Sequence, residues 1–555
     1  NKIDSLDFGI DHQLNNQYKQ DIHQIQNYVT PYGIGLSLGQ FGFRWVYDVT
    51  DYLPLFKDTL EISAGNQQEL IDLKFLFIHG TPPRDVLDFK TIWRGDYGHA
   101  NIANDVSMPA VDVPLLSTAS NFKAKTRTTG HWFGGFQNCA EFCPKLHHLK
   151  VNGTKQFEWL NWKECSDNPV MAQGGTWLYD RAGWCPGTFG TTYDHEITPF
   201  ISSGDTSVNI DYGMEVTSGG MEGNYRTTVQ LVSYGDYNFQ NDAGITDVLA
   251  PNDWEFHTRI NPICDQPRIL LKNTGQQDLL SAQIDYWICG GPHETLSWSG
   301  QLEFDQEIEI ELPISSQSFW DYAQFCKDFH VEIMQVNGTA DECLENNHYH
   351  TTFDVPPVYP EGIVLWTRTN LAANETKLYI RDVDGNIVFS KTNFQSNTLH
   401  KDTVNLTTGC YQLELDDTGE DGLDFFANND GSGFFQIRKT TGAPLAGFES
   451  DFGKNIIHYF TVGYGLSIEE NTSIFDFKCY PNPAHNELNI QTNGFVDDVH
   501  FEILDGFGKL VYQEKLNLSK LNNKNSIDIS KLSNGVYFIK VFDNYHTKTQ
   551  RFIHQ

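Results

Sequence analysis

Three features of the sequence predict an all-β, multidomain protein. Aromatic residues that suit a pleated, half-buried surface are abundant (38 Phe, 24 Tyr, 12 Trp), and 46 Gly are at hand for turns. Short apolar or alternating runs recur between Gly, Pro, Asn and Asp clusters, without long helix-periodic stretches. At 555 residues the chain exceeds the roughly 250–300 residues that one hydrophobic core fills.

From the N-terminus, Ile34–Leu38 and Leu73–Ile78 read as sandwich strands, and Gly80-Thr81-Pro82-Pro83 marks the end of a first unit, 1–87. Residues 88–257, rich in Trp, Gly and Cys, form the next. The runs 268–275, 284–288 and 308–313 are evenly spaced between polar turns, the pattern of an immunoglobulin-like sandwich over 258–357. The Pro-rich Asp354–Pro360 leads into an accessory β-sandwich, 358–466, and a last block covers 471–555.

Net charge is −34 and no Lys/Arg cluster stands out, so a nucleic-acid partner is not expected. No apolar stretch is long enough for a spanning helix. The ten cysteines lie in no CxxC pair and no HExxH occurs, which favours disulfides in an oxidising compartment over metal. Proximity suggests the pairs Cys139–Cys143, Cys165–Cys185, Cys264–Cys289 and Cys326–Cys343. No metal and no other cofactor is expected, and a monomer is.

The chemistry-bearing stretch is Arg127 to Gly187. Glu141 sits inside the five-residue segment Cys139-Ala140-Glu141-Phe142-Cys143. A Cys165–Cys185 bridge would close a loop bearing Arg181, a link that stabilises by roughly 3 kcal/mol in the chain-entropy model. A fixed carboxylate, a fixed guanidinium and Trp132, Trp177 and Trp184 suit a sugar; a Trp-rich core with surface charges is the competing reading. His147-His148 with His348 and His350 invites copper, but the pairs fall in different modules and adjacent strand residues face opposite ways. No GxSxG elbow occurs. The turn Asp416–Asp424 has the oxygen groups calcium takes but no EF-hand spacing, and a solvated turn is the preferred reading.

Over residues 1–250 the chain resembles the peptide-N-glycosidase F family. The resemblance rests on Tyr28–Tyr32, Tyr47–Tyr52, Gly80-Thr81-Pro82, Arg127-Thr128-Thr129, Cys139–Cys143, Cys165–Pro169 and Asp180-Arg181-Ala182-Gly183-Trp184-Cys185-Pro186-Gly187. It implies two packed jelly-roll sandwiches and hydrolysis of the amide between Asn and the first N-acetylglucosamine of an N-glycan, without metal. Counting back without a gap from Thr30-Pro31-Tyr32 places the family's principal catalytic Asp on Asp7, or on Asp4 or Asp11 if the alignment slips. The supporting Glu falls on Glu141 and a nearby Arg on Arg181, with Trp132 and Trp184 as further substrate contacts. The family's third acidic residue falls on Gly65 and a following Trp on Gln67. Only six residues precede Asp7, so part of the first jelly roll is expected to be missing from the sequence.

The last block resembles a type IX secretion sorting domain, through Tyr480-Pro481-Asn482-Pro483-Ala484, Leu488-Asn489-Ile490, Asp505–Lys509 and Leu532–Tyr537. It implies export by that machinery to the bacterial surface or beyond. The resulting expectation is a secreted amidase whose partners are N-glycosylated proteins. The alternative is a non-catalytic glycan-binding or adhesive protein on a decayed fold.

Overall fold

The computed structural model describes residues 6–12, 21–33, 36–39, 42–57, 61–64, 71–463, 476–493, 499–505, 509–516, 525–542 and 547–555. Strands dominate them, as expected of an all-β chain, and the helices are short, none longer than 8 residues. The chain divides into two compact units, Asn1–Ser467 and Ile468–Gln555.

In the first unit β1 (Leu6–His12), β2 (Asp21–Tyr28) and β3 (Glu61–Ala64) form an antiparallel sheet in the order β2-β1-β3. Directly after the Gly80–Pro83 breaker comes β4 (Arg84–Gly98), followed by β5 (Val111–Pro114), β6 (Asn121–His131) and β7 (Leu146–Val151). β8 (Thr154–Leu160), β9 (Thr192–Glu196), β10 (Ser207–Met214) and β11 (Asn224–Tyr237) complete this lobe. Its sheets run β4-β11-β6-β9 and β5-β10-β7-β8, and eight strands shared between facing sheets in this order make a jelly roll. Phe122, Ala124, Val229 and Leu231 of one sheet meet Val113, Leu149, Val151, Val208 and Ile210 of the other in one core.

β6 is buried on both faces. Strand alternation sends Phe122 and Ala124 into the jelly-roll core and Lys123, Lys125, Arg127 and Thr129 to the opposite side. That side is covered, because Ile25, Tyr52 and Leu55 of the first lobe pack on Phe89, Val232 and Tyr234 of the same sheet. Each buried cation there has at least one partner, although Arg127 Nη1 is left without one among the described residues. Lys125 Nζ lies 2.6 Å from Asp51 and 2.8 Å from Asp194. Lys123 Nζ contacts Asp305, which Lys272 also reaches at 2.5 Å. Arg127 donates to Thr192 Oγ1 (2.9 Å) and to the hydroxyls of Tyr47 (3.2 Å) and Tyr52 (3.3 Å).

The third sandwich sets strands Ala243–Ala250, Arg268–Asn273 and Glu307–Glu311 against a four-stranded sheet built on Leu279–Ile288 and Asp328–Val336. The strand at 243–250 lies before the 257/258 boundary drawn from sequence, yet it hydrogen-bonds along 268–273. Its neighbour Arg268–Asn273 alternates buried and half-buried positions, as a strand on one core does. A fourth sandwich pairs a five-stranded with a four-stranded sheet from Val358 to Val462. In the second unit, a three-stranded and a four-stranded sheet enclose Phe477, Leu488, Ile490, Phe501, Ile503, Ile539 and Phe552.

Two expectations are corrected. Residues 73–78 carry no strand: no described strand pairs with them, and Leu76, Phe77 and Ile78 stand exposed; Ile34 and Gly35 lie outside the described residues, and 36–38 are irregular. Of the guessed cysteine pairs, Cys139–Cys143 and Cys165–Cys185 form, whereas Cys264 bonds Cys410 and Cys289 bonds Cys326. Proximity in sequence failed because Cys264 and Cys410 meet where the third and fourth sandwiches share apolar contacts. Cys343 and Cys479 are buried free thiols.

Thiol titration should therefore find two reactive cysteines after denaturation without reductant, and neither reacting readily in the native protein. The Cys264–Cys410 bridge spans 146 residues, so Cys264→Ser with Cys410→Ser should lower stability by roughly 3–5 kcal/mol in urea unfolding.

Stability should also depend on acid. Burial pushes His131, His195 and His458 down to about 4 and His147 down to about 3. An unfolded His titrates near about 6.5, so the unfolded chain binds protons that these native histidines refuse, and their contribution to stability falls from about pH 6.5 toward about 4. Asp51 and Asp305 add a further loss in stronger acid: burial raises them, but Lys125 and Lys123 for Asp51, and Lys123 and Lys272 for Asp305, outweigh it and hold both below the ordinary value. Asp341, Asp416, Asp417 and Asp451, which burial raises, act in the opposite sense over the same range, so the histidine contribution is read by difference: between pH 8 and 4 a His147→Gln variant should lose less melting temperature than the wild type.

Candidate functional site

β6 delivers the chain to the site. At its end Gly130 N–H donates to the Ala182 carbonyl (2.9 Å), Ala182 N–H to the Glu141 carbonyl (2.9 Å), and Glu141 N–H to the Trp132 carbonyl (3.3 Å). Glu141 is thus laced between residues 130–132 and 182, and the Cys139–Cys143 bridge closes its segment with Cα atoms 5.8 Å apart. The second loop is held by Cys165–Cys185 and by a two-bond bridge between Lys163 and Arg181 (2.9 and 3.1 Å). Gly183 has φ +77°, and a Cβ there would lie 2.2 Å from the Thr128 carbonyl, so only glycine lets this loop approach β6.

Arg181 is fully buried. Its Nε donates to Glu141 Oε1 (3.2 Å), Nη1 to the Trp177 carbonyl (3.3 Å) and the Tyr179 carbonyl, and Nη2 to Thr176 O (2.7 Å) and Oγ1 (3.1 Å). The Phe142 and Trp184 rings each lie 4.9 Å from its guanidinium carbon, with Tyr32 at 5.6 Å. A cation so enclosed orients Glu141 and offers no donor outward, which corrects the expectation of direct substrate contact by Arg181. Trp184 is corrected likewise: it is buried, with Nε1 donating to the Gly130 carbonyl (2.7 Å). Trp132 is the opposite case, 62% exposed and stacked on Phe133 with rings 6.0 Å apart and 2° from parallel. Glu141 keeps 18% of its side chain open.

Asp7 lies on β1 with Asn27 of β2 as its register partner. Asn27 sits on the seam between the lobes: its carbonyl accepts Gly190 N–H (2.9 Å) and its amide nitrogen reaches Thr129 Oγ1 (3.4 Å). The backbone at Asp7 is therefore two steps from the strand that leads to Glu141. The side chains of Asp7 and Asp11, and all of Asp4, Gly65 and Gln67, lie outside the described residues. Phe142, Tyr179 and Arg259 also bear on the site; adjacency to the motif is the one sequence signal for the first two, and nothing in the sequence signals Arg259.

Elsewhere, His147 is buried with Nδ1 2.6 Å from the Tyr212 hydroxyl, and His348 and His350 stand on the third sandwich. Among the described residues one group has the donors for a cation, Glu375, Asp417 and Asp421, with ligand oxygens within 4.8 Å of one another. Asp417 already accepts the N–H of Asp421 (2.9 Å) and Gly422 (3.0 Å), and burial pushes it up to about 7. A hollow of about 500 Å³ between Phe157, Trp159, Tyr193 and His195 includes none of the site residues. No helix of the described residues is long and apolar enough to cross a membrane.

Residues 99–234 match the family model for peptide-N-glycosidase F, C terminal, and residues 478–555 that for a secretion system C-terminal sorting domain. A curated relative, peptide-N(4)-(N-acetyl-beta-D-glucosaminyl)asparagine amidase F of Elizabethkingia miricola, is 28% identical over 195 residues, covering 31% of this chain and 53% of its own. The chain thus spans about half the length of that relative. Among solved structures, PNGase F, a glycosylasparaginase from Flavobacterium meningosepticum, has 18% identity and a TM-score of 0.35, covering 42% of this chain and 78% of its own. PNGF-II has 15% identity and a TM-score of 0.30, covering 42% and 54%.

The φ of Trp132 is +63°, a left-handed conformation that costs a non-glycine residue about 1–3 kcal/mol. Trp132→Gly should raise stability by about 1 kcal/mol in urea unfolding while weakening any sugar binding at the site. The sorting domain addresses the chain to the cell surface or medium by type IX secretion. Residues 99–234 are thus similar to the C-terminal part of peptide-N-glycosidase F, in a chain that a sorting domain marks as secreted.

Proposed function

We propose that the protein is an amidase that removes N-glycans from glycoproteins by hydrolysing the bond between Asn and the first N-acetylglucosamine. The observation that carries this reading is Glu141, a part-open carboxylate fixed by Arg181 and a disulfide beside the exposed Trp132. Amide hydrolysis must take a proton from the attacking water and give one to the leaving nitrogen, and positioned carboxylates do both. In this mechanism Asp7 activates the water, Glu141 orients water and sugar, and Trp132 presents an aromatic face to the ring. Arg181 works through Glu141. Its five N–H groups meet Glu141 and the carbonyls and hydroxyl of residues 176–179, so the carboxylate needs no reorganisation when substrate arrives. The products are an Asp-containing polypeptide and a glycosylamine.

The second reading, glycan binding without catalysis, is favoured by one observation, the Gly at position 65 where the family carries an acid. Incubation of a denatured N-glycoprotein with the full chain should convert Asn to Asp at glycosylation sites, followed by mass spectrometry. Asp7→Asn and Glu141→Gln should each slow conversion by about 10²–10⁴-fold. Absence of conversion across high-mannose, complex and core-fucosylated substrates would favour the binding reading.

A further inference from the structure

The fourth sandwich lies directly on the loop that carries Arg181. Trp177 Nε1 donates to Asp451 Oδ2 (3.0 Å), and Ser166 Oγ to Glu420 Oε2 (3.0 Å). Lys454 Nζ pairs with Glu164 at 3.2 Å. Arg259 fastens both sides at once: it donates to the carbonyls of Asn168 (2.7 Å) and Ser166 (2.9 Å) on the loop and of Phe452 (2.9 Å) and Asn455 (3.0 Å) on the sandwich. Trp177, Leu178 and Phe425 share one buried cluster, with Tyr32 and Met171 against it.

This attachment continues the aromatic surface of the site. Phe142, next to Glu141, meets Tyr179 edge-on at 6.2 Å; Tyr179 meets Phe425 at 5.5 Å; Phe425 meets Phe426 at 5.3 Å. Phe425 is buried, but Phe426 is 69% exposed and Tyr179 40%. The loop that presents Phe426 is held in shape. Asn428 donates to Asp421 Oδ2 (2.8 Å), and Leu371 N–H to the Asp430 carbonyl (2.6 Å). It also carries Glu420, Asp421, Asp424 and Asp430, which repel an anion and accept hydrogen bonds from hydroxyls. An aromatic face among carboxylates suits a neutral carbohydrate. A polypeptide strand would need a free sheet edge, and this loop is not a strand.

We propose that Phe426, with Tyr179, forms a subsite for neutral sugar units of the glycan beyond the linkage at Glu141, so that the fourth sandwich is part of the substrate surface. This rests on the amidase reading above. The test compares the full chain with Phe426→Ala and Phe426→Trp on two glycopeptides of one peptide sequence, one bearing two N-acetylglucosamine units and one a neutral high-mannose glycan. Phe426→Ala should lower kcat/KM on the long glycan about five- to tenfold, through KM, and leave the short one unchanged; Phe426→Trp should retain the wild-type value. Equal loss on both substrates, or no loss on the long one, overturns the proposal. If the wild type cleaves neither, the amidase reading fails, and calorimetric titration with free neutral oligomannose decides the subsite. Binding that Phe426→Ala abolishes supports it, and absent or unchanged binding overturns it.

Discussion

Four alternate side chains of β6, Lys123, Lys125, Arg127 and Thr129, stand on a sheet face that other parts of the chain cover. Burying an unpaired ion costs several kcal/mol, so whatever covers that face must bring complementary groups to each position. The first lobe supplies Asp51, Tyr47, Tyr52 and Asn27, β9 supplies Asp194 and Thr192, and the third sandwich supplies Asp305. A one-residue slip of β6 would turn these charges into the jelly-roll core and the core's Phe122 and Ala124 out onto the polar seam. The charge ladder therefore specifies how three modules sit together. The next residues of the same strand, Gly130 and His131, lead straight into the hydrogen bonds that hold Glu141.

The site is correspondingly stiff. Arg181 uses its donors on Glu141 and on its own loop, and the rings of Phe142, Trp184 and Tyr32 surround it. Two disulfides close the segments that carry the pair. Against this background Trp132 stands out as exposed and in an unfavourable backbone conformation, and such strain persists where surrounding structure over-determines it. A rigid carboxylate beside a displayed aromatic face is an arrangement for a ligand with a polar linkage and an apolar ring face.

The additional sandwiches are bound into the same unit by chemistry suited to an exported protein. Cys264–Cys410 joins the third to the fourth, and Arg259 joins the fourth to the Arg181 loop through four carbonyls. A guanidinium can do this because its planar fork of donors matches several acceptors at once. The sorting unit is built separately, as a second compact body with its own apolar core.

Much of this was legible in the residues. Alternation identified the strands of the third sandwich, whereas spacing alone did not separate the true bridge Cys165–Cys185 from the still shorter Cys326–Cys343, which does not form. Glu141 and Arg181 were marked by the motifs around them. Tertiary structure alone decided the rest. It buried Arg181 and Trp184, whose types suggest a surface for sugar, and it covered the charged side of β6, whose alternation reads like a solvent-facing strand. It also joined Cys264 to a partner 146 residues away. The physical reason is common to all three: the cost or gain of a charged, aromatic or thiol side chain depends on which distant surface meets it, and that is set by how the sandwiches pack.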